Sequence, residues 1–557
     1  MTATGTTAGT AGRAFLVRAA ILLLVAFGLT WPQVLHPQAL YGASGGEVDN
    51  HFWMFWAAAK RMGLAGGPAL GSAPLTDFPH GWEIPIMDPI NLPLWLATGW
   101  IRPELGYSAV LWGNLVLAGF GGGALANALG RSGGAQGEPD PAAFWTGAVA
   151  AMASPPLLGF MEFGITEAWA VGWLGLHAAA LLNWGRTGQA RQLGYAALAA
   201  TAVWASGWYN AFFMLVLEPF LWVGCRRWSW GLPLGAVCAA VPRLPALWET
   251  HVNFSLWSSR LAGICAPIEN RGWIARPFCG VDLIALVRPS PEPLLVSHAM
   301  YVGLGALALA LVAVAARDDR TRRGALAAGM LLMWALALGD QLRVAGRVLF
   351  VHAPAGWLTV AVPALRAITH WERAEVPAGM LLAGLAGAGA VRLGRWWRLA
   401  PGVLVVDVLL FGGQQFPRQS YLADPPAELV DLPGTGALLL VPVDNTFDPP
   451  HGRSRRPYNQ WQVYFHRPVS ENYEGPDDVS RYPAIKYLNR LCGVRPGPGE
   501  QPPRLWDLVE LRELGGEGFE WLVVVPELAP DAKACVAAVR GALGQPEVDG
   551  RIVGWRL

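Results

Sequence analysis

What constrains this chain most is the recurrence of apolar runs too long for a soluble core. A helix rises 1.5 Å per residue, so about 20 apolar residues cross the roughly 30 Å of bilayer hydrocarbon. Runs of this kind read as spans near 14–35, 106–130, 142–159, 168–185, 193–207, 209–224, 229–248, 296–316, 323–340, 376–394 and 400–413, about eleven in all. Composition agrees: 53% of the 557 residues are hydrophobic and only 15% are charged, where soluble domains carry roughly 25%. The net charge of +1 excludes a broad nucleic-acid surface. The chain is therefore read as an α-helical polytopic membrane protein. Its 28 Trp exceed what a core needs, and many are expected at lipid–water boundaries.

The first run follows Arg13 and Arg18. It is long for a secretory signal, lacks a clear small-x-small cleavage site and is followed by further spans, so it reads as an uncleaved first transmembrane helix. Segment 85–101 is apolar but interrupted by Pro85, Pro89 and Pro93, which places it at the surface as a helix or loop. Arginines sort the loops. Arg131, Arg186, Arg191, Arg226, Arg227, Arg317, Arg320, Arg322, Arg323, Arg395 and Arg398 all fall on one side if the N-terminus is cytoplasmic, as the positive-inside rule requires. Three long segments, 36–105, 249–295 and 341–375, then lie outside, and so does the tail from about 414.

That tail changes character and divides the chain into a membrane domain, 1–413, and an extracytoplasmic domain, 414–557. GALLLVPV (436–443), FEWLVVVP (519–526) and RIVGWRL (551–557) read as strands, and DAKACVAAVRGALG (531–544) as a helix, which makes a small α/β domain. DPPHGRSRRP (448–457) reads as a mobile loop within it. Cys265 with Cys279, and Cys492 with Cys535, form two even sets on the oxidising side. They suggest disulfides, with buried free thiols as the alternative. No CxxC or Cys/His cluster points to structural zinc.

The chemistry is expected in GEVDNHFWMFW (46–56), a few residues past the first helix. Acids at that depth are costly unless solvated, paired or used. One reading is a helix cap, with Asp49 or Asn50 opening the segment that follows. The other is a general base, Asp49 or Glu47, acting on a sugar hydroxyl beside a lipid-borne leaving group.

At this point the chain resembles the GT-C superfamily of membrane glycosyltransferases, in particular bacterial members with a C-terminal extracytoplasmic domain. GEVDNHFWMFW stands where that family has an Asp-bearing first-loop motif, and DFPHGWEI (77–84) where it has an aromatic-Pro-x-Gly turn. VDLIALVRPSPEPLLVSHAMYVGLGAL (281–307) resembles its Asp-Leu-Leu…Pro-Ser segment with a Tyr-x-Gly helix start. VPALRAITHWERAEVPAGMLLAGLAG (362–387) resembles its arginine-bearing segment. NQWQVYFHRPVSENY (459–473) and GFEWLVVVP (518–526) resemble its tail motifs.

The resemblance implies a bacterial plasma-membrane protein that uses a polyprenyl-phosphate-linked sugar as donor. Inverting transfer of a hexosyl or pentosyl group would occur at the outer face, to a glycan, lipid or protein acceptor. Asp49 is then the base, with Glu47 supporting or replacing it. Arg366, His370, Arg373 and Arg260 are the expected ligands of the donor phosphate, with Arg271 and Arg276 nearby, because arginine pairs bidentately with phosphate; headgroup contact or a salt bridge with Glu372 or Glu269 is the plainer reading of each arginine. His51, Trp53, Trp56, His80, Trp82 and Asp282 are expected to line the substrate, although Asp282 also fits a cap and the tryptophans also fit a lipid belt. Asp88 is a weaker first-loop acid. No cofactor is named, and a divalent metal stays open, because the second large loop offers Glu249, Glu269 and Asp282 without the tight pair many such enzymes carry. Two other functions compete. A flippase or transporter of a lipid-linked glycan is disfavoured by sparse acids in the spans (Glu218, Asp340 and Asp407 lie near their ends) and by the lack of an inverted repeat. A non-catalytic assembly protein would need no carboxylate at position 49.

Overall fold

A computed structural model describes residues 6–42, 47–64, 88–130, 140–226, 281–287, 301–345, 347–362, 365, 368, 370–412, 416–442, 457–470, 483–493 and 510–557. The expected span 229–248, the 448–456 part of the loop, and Cys238, Cys265 and Cys279 lie outside the described residues. Two compact units emerge. One comprises 1–37, 87–95 and 107–420, the other 38–86, 96–106 and 421–557.

The first unit is helical. Among the described residues, five helical stretches are long and apolar enough to cross a bilayer: Gly12–Leu29, Pro103–Gly130, Pro141–Phe163, Trp208–Cys225 and Trp371–Phe411. Helices Gly172–Thr187, Ala190–Ser206, Leu304–Ala315 and Arg320–Ala337 cover the other described spans. The protein is embedded in a membrane, and the first helix shows it on its surface. Leu16 and Leu24 are about two-thirds exposed, a state that lipid tolerates and water penalises. The expected span at 142–159 breaks into Pro141–Met152 and Pro155–Phe163. The break is local chemistry: Pro155 and Pro156 cannot donate to the preceding turn and open the second helix instead.

Small residues bring the helices together. A Cβ on Gly147 would lie 2.5 Å from Ala126 Cβ and 2.7 Å from the carbonyl oxygen of Gly122, so only glycine permits that crossing. This is how helices associate where apolar burial gives no drive. The Leu304–Ala315 helix starts later than the 296–316 run predicts. Asp407, from the Ala400–Phe411 helix, accepts from Tyr301 Oη (2.7 Å) and from the Gly305 amide (2.9 Å), which caps that N-terminus from outside its own chain segment.

The second unit contains the tail sheet, with the strand order Ala437–Val441, Phe519–Val524, Val553–Arg556, Val548–Asp549. The first pair is parallel and the others are antiparallel. Successive strand side chains alternate between faces. Leu438 and Leu440 join Tyr458, Trp461 and Phe465 on one face, while Leu439 and Val441 join Leu488, Cys535 and Val539 on the other. Both faces are covered, which is why these strands read as continuous apolar runs. A disulfide joins Cys492 to Cys535, and Cys225 is a free, buried thiol.

This second unit also takes in the Val48–Arg61 helix, which packs on the Pro457–Phe465 helix. The compact units therefore differ from a linear division at residue 413. A helix whose Val48, Phe52, Trp53, Phe55 and Trp56 are all buried has to find an apolar partner, and it finds one far along the chain.

Candidate functional site

In the second unit the acidic motif forms the start of the Val48–Arg61 helix. Glu47 occupies the cap position without a side-chain cap bond, and Asp49 is the second helical residue. Capping by Asp49 or Asn50 is therefore not what the motif does; Asn50 Nδ2 instead donates to Glu47 Oε2 at 3.0 Å. Asp49 still sits in the first turn, where exposed helix N–H groups favour a negative charge. It accepts a hydrogen bond from Tyr421 Oη.

Asp49, Trp53, Trp56 and Lys60 recur at helical spacing on one stripe. Trp53 Nε1 donates to Gln462 Oε1 at 2.6 Å, and Gln462 Nε2 donates to the Arg467 carbonyl at 2.8 Å. The rings of Trp56 and His466 lie 5.6 Å apart. Burial and the nearby Lys60 charge hold His466 below its ordinary pKa, so its imidazole is neutral around pH 7. Its backbone is left-handed, with φ 56°, an uncommon conformation outside glycine. Tyr464 Oη donates to Glu104. Burial and that carboxylate push the phenol up. The first-loop motif and the tail motif NQWQVYFHRP thus form one packed polar seam.

The first unit holds a second polar cluster. Arg373, in the Trp371–Ala374 turn, is ion-paired with Glu167. Its guanidinium lies 4.3 Å from the Tyr209 ring centroid, a cation–π arrangement. Asn210 Nδ2 donates to the Glu167 carbonyl at 2.6 Å and to Ser206 Oγ at 3.0 Å. Gly207 (φ 146°) allows this approach, since a Cβ there would stand 2.9 Å from Glu167 Cβ. Asp88 is fully buried and accepts from Asn91 Nδ2 at 2.9 Å; Asn114 Nδ2 in turn donates to Asn91 Oδ1 at 2.8 Å. Burial pushes the Asp88 carboxyl up to about 8, against the opposing hydrogen bonds from Asn91 and Thr166, and the Glu167 charge adds to the rise.

The other expected residues fall as follows. His370 pairs with Glu372 at 2.8 Å, and Arg373 with Glu167 rather than with Glu372; Glu269 lies outside the described residues. Asp282 accepts from the amides of Ile284 (2.8 Å) and Ala345 (3.1 Å), so it clamps backbone. Trp53 and Trp56 are 1% and 2% exposed, and His51 is 2% exposed. The Pro457–Phe465 helix and its neighbours cover that stripe. Arg260, Arg366, Arg271, Arg276, His80 and Trp82 lie outside the described residues. Among the described residues no group of three His, Cys, Asp or Glu side chains is placed to hold a metal ion. Glu167, Tyr209, Tyr421 and Gln462 were not singled out from sequence. A buried aromatic or amide gives no local sign of the partner it will meet.

Fold and site together define a membrane-embedded, largely helical protein that carries a small α/β domain at its C-terminal end. No family model matches the chain, and no curated protein matches it. Among solved structures it is similar to the crystal structure of ArnT from Cupriavidus metallidurans in the apo state, with 12% identity over 98% of this chain and 98% of that one and a TM-score of 0.39. The superposition is loose.

Proposed function

We propose that the protein is a GT-C-type membrane glycosyltransferase, moving a sugar from a polyprenyl-phosphate-linked donor to an acceptor at the outer membrane face with Asp49 as general base. The observation that carries the reading is the setting of Asp49. It is a carboxylate just past the first span, in the first turn of a helix, held by the Tyr421 hydroxyl. A base fixed by a separate hydrogen-bond donor is the usual form of such a catalytic group. In this reading the acceptor hydroxyl gives its proton to Asp49 as its oxygen attacks the anomeric carbon, and the lipid phosphate leaves with the bonding electrons. Arg373 would neutralise the departing phosphate, and Glu47 flanks the base through Asn50. The N-terminus is cytoplasmic and the tail domain extracytoplasmic, as the arginine asymmetry requires.

The test is transfer of labelled sugar from a polyprenyl-phosphate donor by the full chain in nanodiscs, comparing the wild type with Asp49→Asn and Glu47→Gln. Folded but inactive Asp49→Asn supports the reading. A non-catalytic assembly role is the second reading, favoured by the near-complete burial of Asp49 at 3% exposure. It predicts that the wild type transfers nothing from any such donor.

A further inference from the structure

The Trp53 indole N–H can only donate, and the Arg467 carbonyl can only accept. The Gln462 amide between them therefore has one orientation: Oε1 takes the indole proton at 2.6 Å, and Nε2 donates to the carbonyl at 2.8 Å. Gln462 and Trp53 are both buried, so water does not compete for the bond that joins them. The chain turns between Gln462 and Arg467 at His466, whose left-handed backbone (φ 56°) brings the Arg467 carbonyl back to the Gln462 side chain. The Arg467 side chain is tied in turn to the tail sheet. Its Nη2 donates to Glu520 Oε2 at 2.8 Å and its Nε to the Gly436 carbonyl at 2.7 Å, and Glu520 lies in the Phe519–Val524 strand. A continuous line of bonds thus runs from the sheet to Trp53.

Trp53 follows Asp49 by about one helical turn on the same stripe. Asp49 itself is in the first turn, where a helix opens most readily because the leading amides have no partner within it. Two contacts from the 421–557 part of the same unit hold this end of the helix: Tyr421 on Asp49 and Gln462 on Trp53. We propose that Gln462 is a positioning residue for Asp49. By locking the Trp53 indole it fixes the rotation and height of the Val48–Arg61 helix, and so the point at which the carboxylate meets the acceptor hydroxyl. Resting on the reading of Asp49 as general base, this assignment gives the tail domain a direct part in turnover, because the line of bonds that starts at Glu520 ends one turn from the reacting carboxylate. Gln462 acts through the helix and touches no substrate, so its loss lowers turnover and leaves substrate affinity alone. Misplacing a base by about 1 Å is enough to cost on the order of 100-fold in rate.

The experiment is steady-state transfer of labelled sugar from a polyprenyl-phosphate donor by the full chain in nanodiscs, well below the melting temperature of each variant. Gln462→Leu, which removes both amide bonds, and Trp53→Phe, which removes the indole N–H, are compared alone and combined with Asp49→Asn; size exclusion and thermal unfolding report folding. In the wild-type background kcat is expected to fall about 10- to 100-fold with KM near that of the wild type. In the Asp49→Asn background neither substitution should lower the residual rate further, because the group they position is gone. A merely structural bond would lower the melting temperature and leave the kcat of folded protein unchanged. That result, a change confined to KM, or an equal fall in both backgrounds overturns the proposal and leaves Asp49 as the base. Wild-type turnover in Asp49→Asn, or an inactive wild type, overturns the reading of the base and this assignment with it. If Gln462→Leu does not fold, Trp53→Phe decides alone; failure of both to fold gives the bond a purely structural role and also overturns the proposal.

Discussion

Replacing Asp88 by Asn separates a buried neutral acid from a buried charge. The carboxyl is fully buried and pushed up to about 8 in the folded protein, against 3.8 when solvated. Between those values the folded state holds a proton that the unfolded state has released. The associated stability is thus fully present below pH 4 and declines as pH rises toward 8. At full slope the decline is about 1.4 kcal/mol per pH unit, so about 3 kcal/mol between pH 5 and 7. Asn is neutral throughout, keeps an oxygen to accept from Asn91, and is nearly the same size. The assay is the apparent melting temperature of the full chain in detergent, read for wild type and Asp88→Asn from pH 5 to 9. The wild type should lose ground to the variant steadily up to about pH 8 and run parallel to it above. A difference that stays flat across that range would show that Asp88 is ionised in the folded protein, and the burial argument would fail.

Two other substitutions probe packing and covalent structure. Gly147→Leu should abolish the folded protein, because a Cβ there already collides with Ala126 and the Gly122 carbonyl; Gly194→Ala, with nothing within 4 Å, should leave melting unchanged or slightly raised, as the yield and melting of both variants would show. Replacing Cys492 and Cys535 with Ser opens a cross-link between residues 43 apart, worth about 4 kcal/mol in the chain-entropy model, so limited proteolysis should cut the tail domain of the double variant first.

The described spans and the tail strands were legible because each follows from a short-range rule. A continuous apolar run of bilayer length, or an apolar run covered on both faces, announces itself locally. The break at Pro155 and the later helix start at Leu304 shifted boundaries without changing the elements. The sites were legible only in part. Asp49 stood out because a carboxylate so near a span needs a reason. Its partner Tyr421 lies 372 residues away, Gln462 lies 409 residues from Trp53, and Glu167 lies 206 residues from Arg373. Tertiary packing chose these pairs. Arg373 had a nearer acid in Glu372, yet His370 takes that carboxylate. Trp53 and Trp56 were read as belt or sugar-stacking residues because indoles suit both uses, whereas the helix that buries them begins at Pro457, in the tail.

The central claim is that Asp49 accepts a proton during sugar transfer, and the most direct measurement is the turnover of Asp49→Asn beside Glu47→Gln with a labelled polyprenyl-phosphate sugar. Asparagine preserves size and can still accept from Tyr421, so folding and melting should stay near those of wild type while the rate falls by about 10²–10⁴-fold. Glu47→Gln should fall less, since it flanks the base through Asn50. Wild-type turnover in both variants would contradict the account, because neither carboxylate would then be the base.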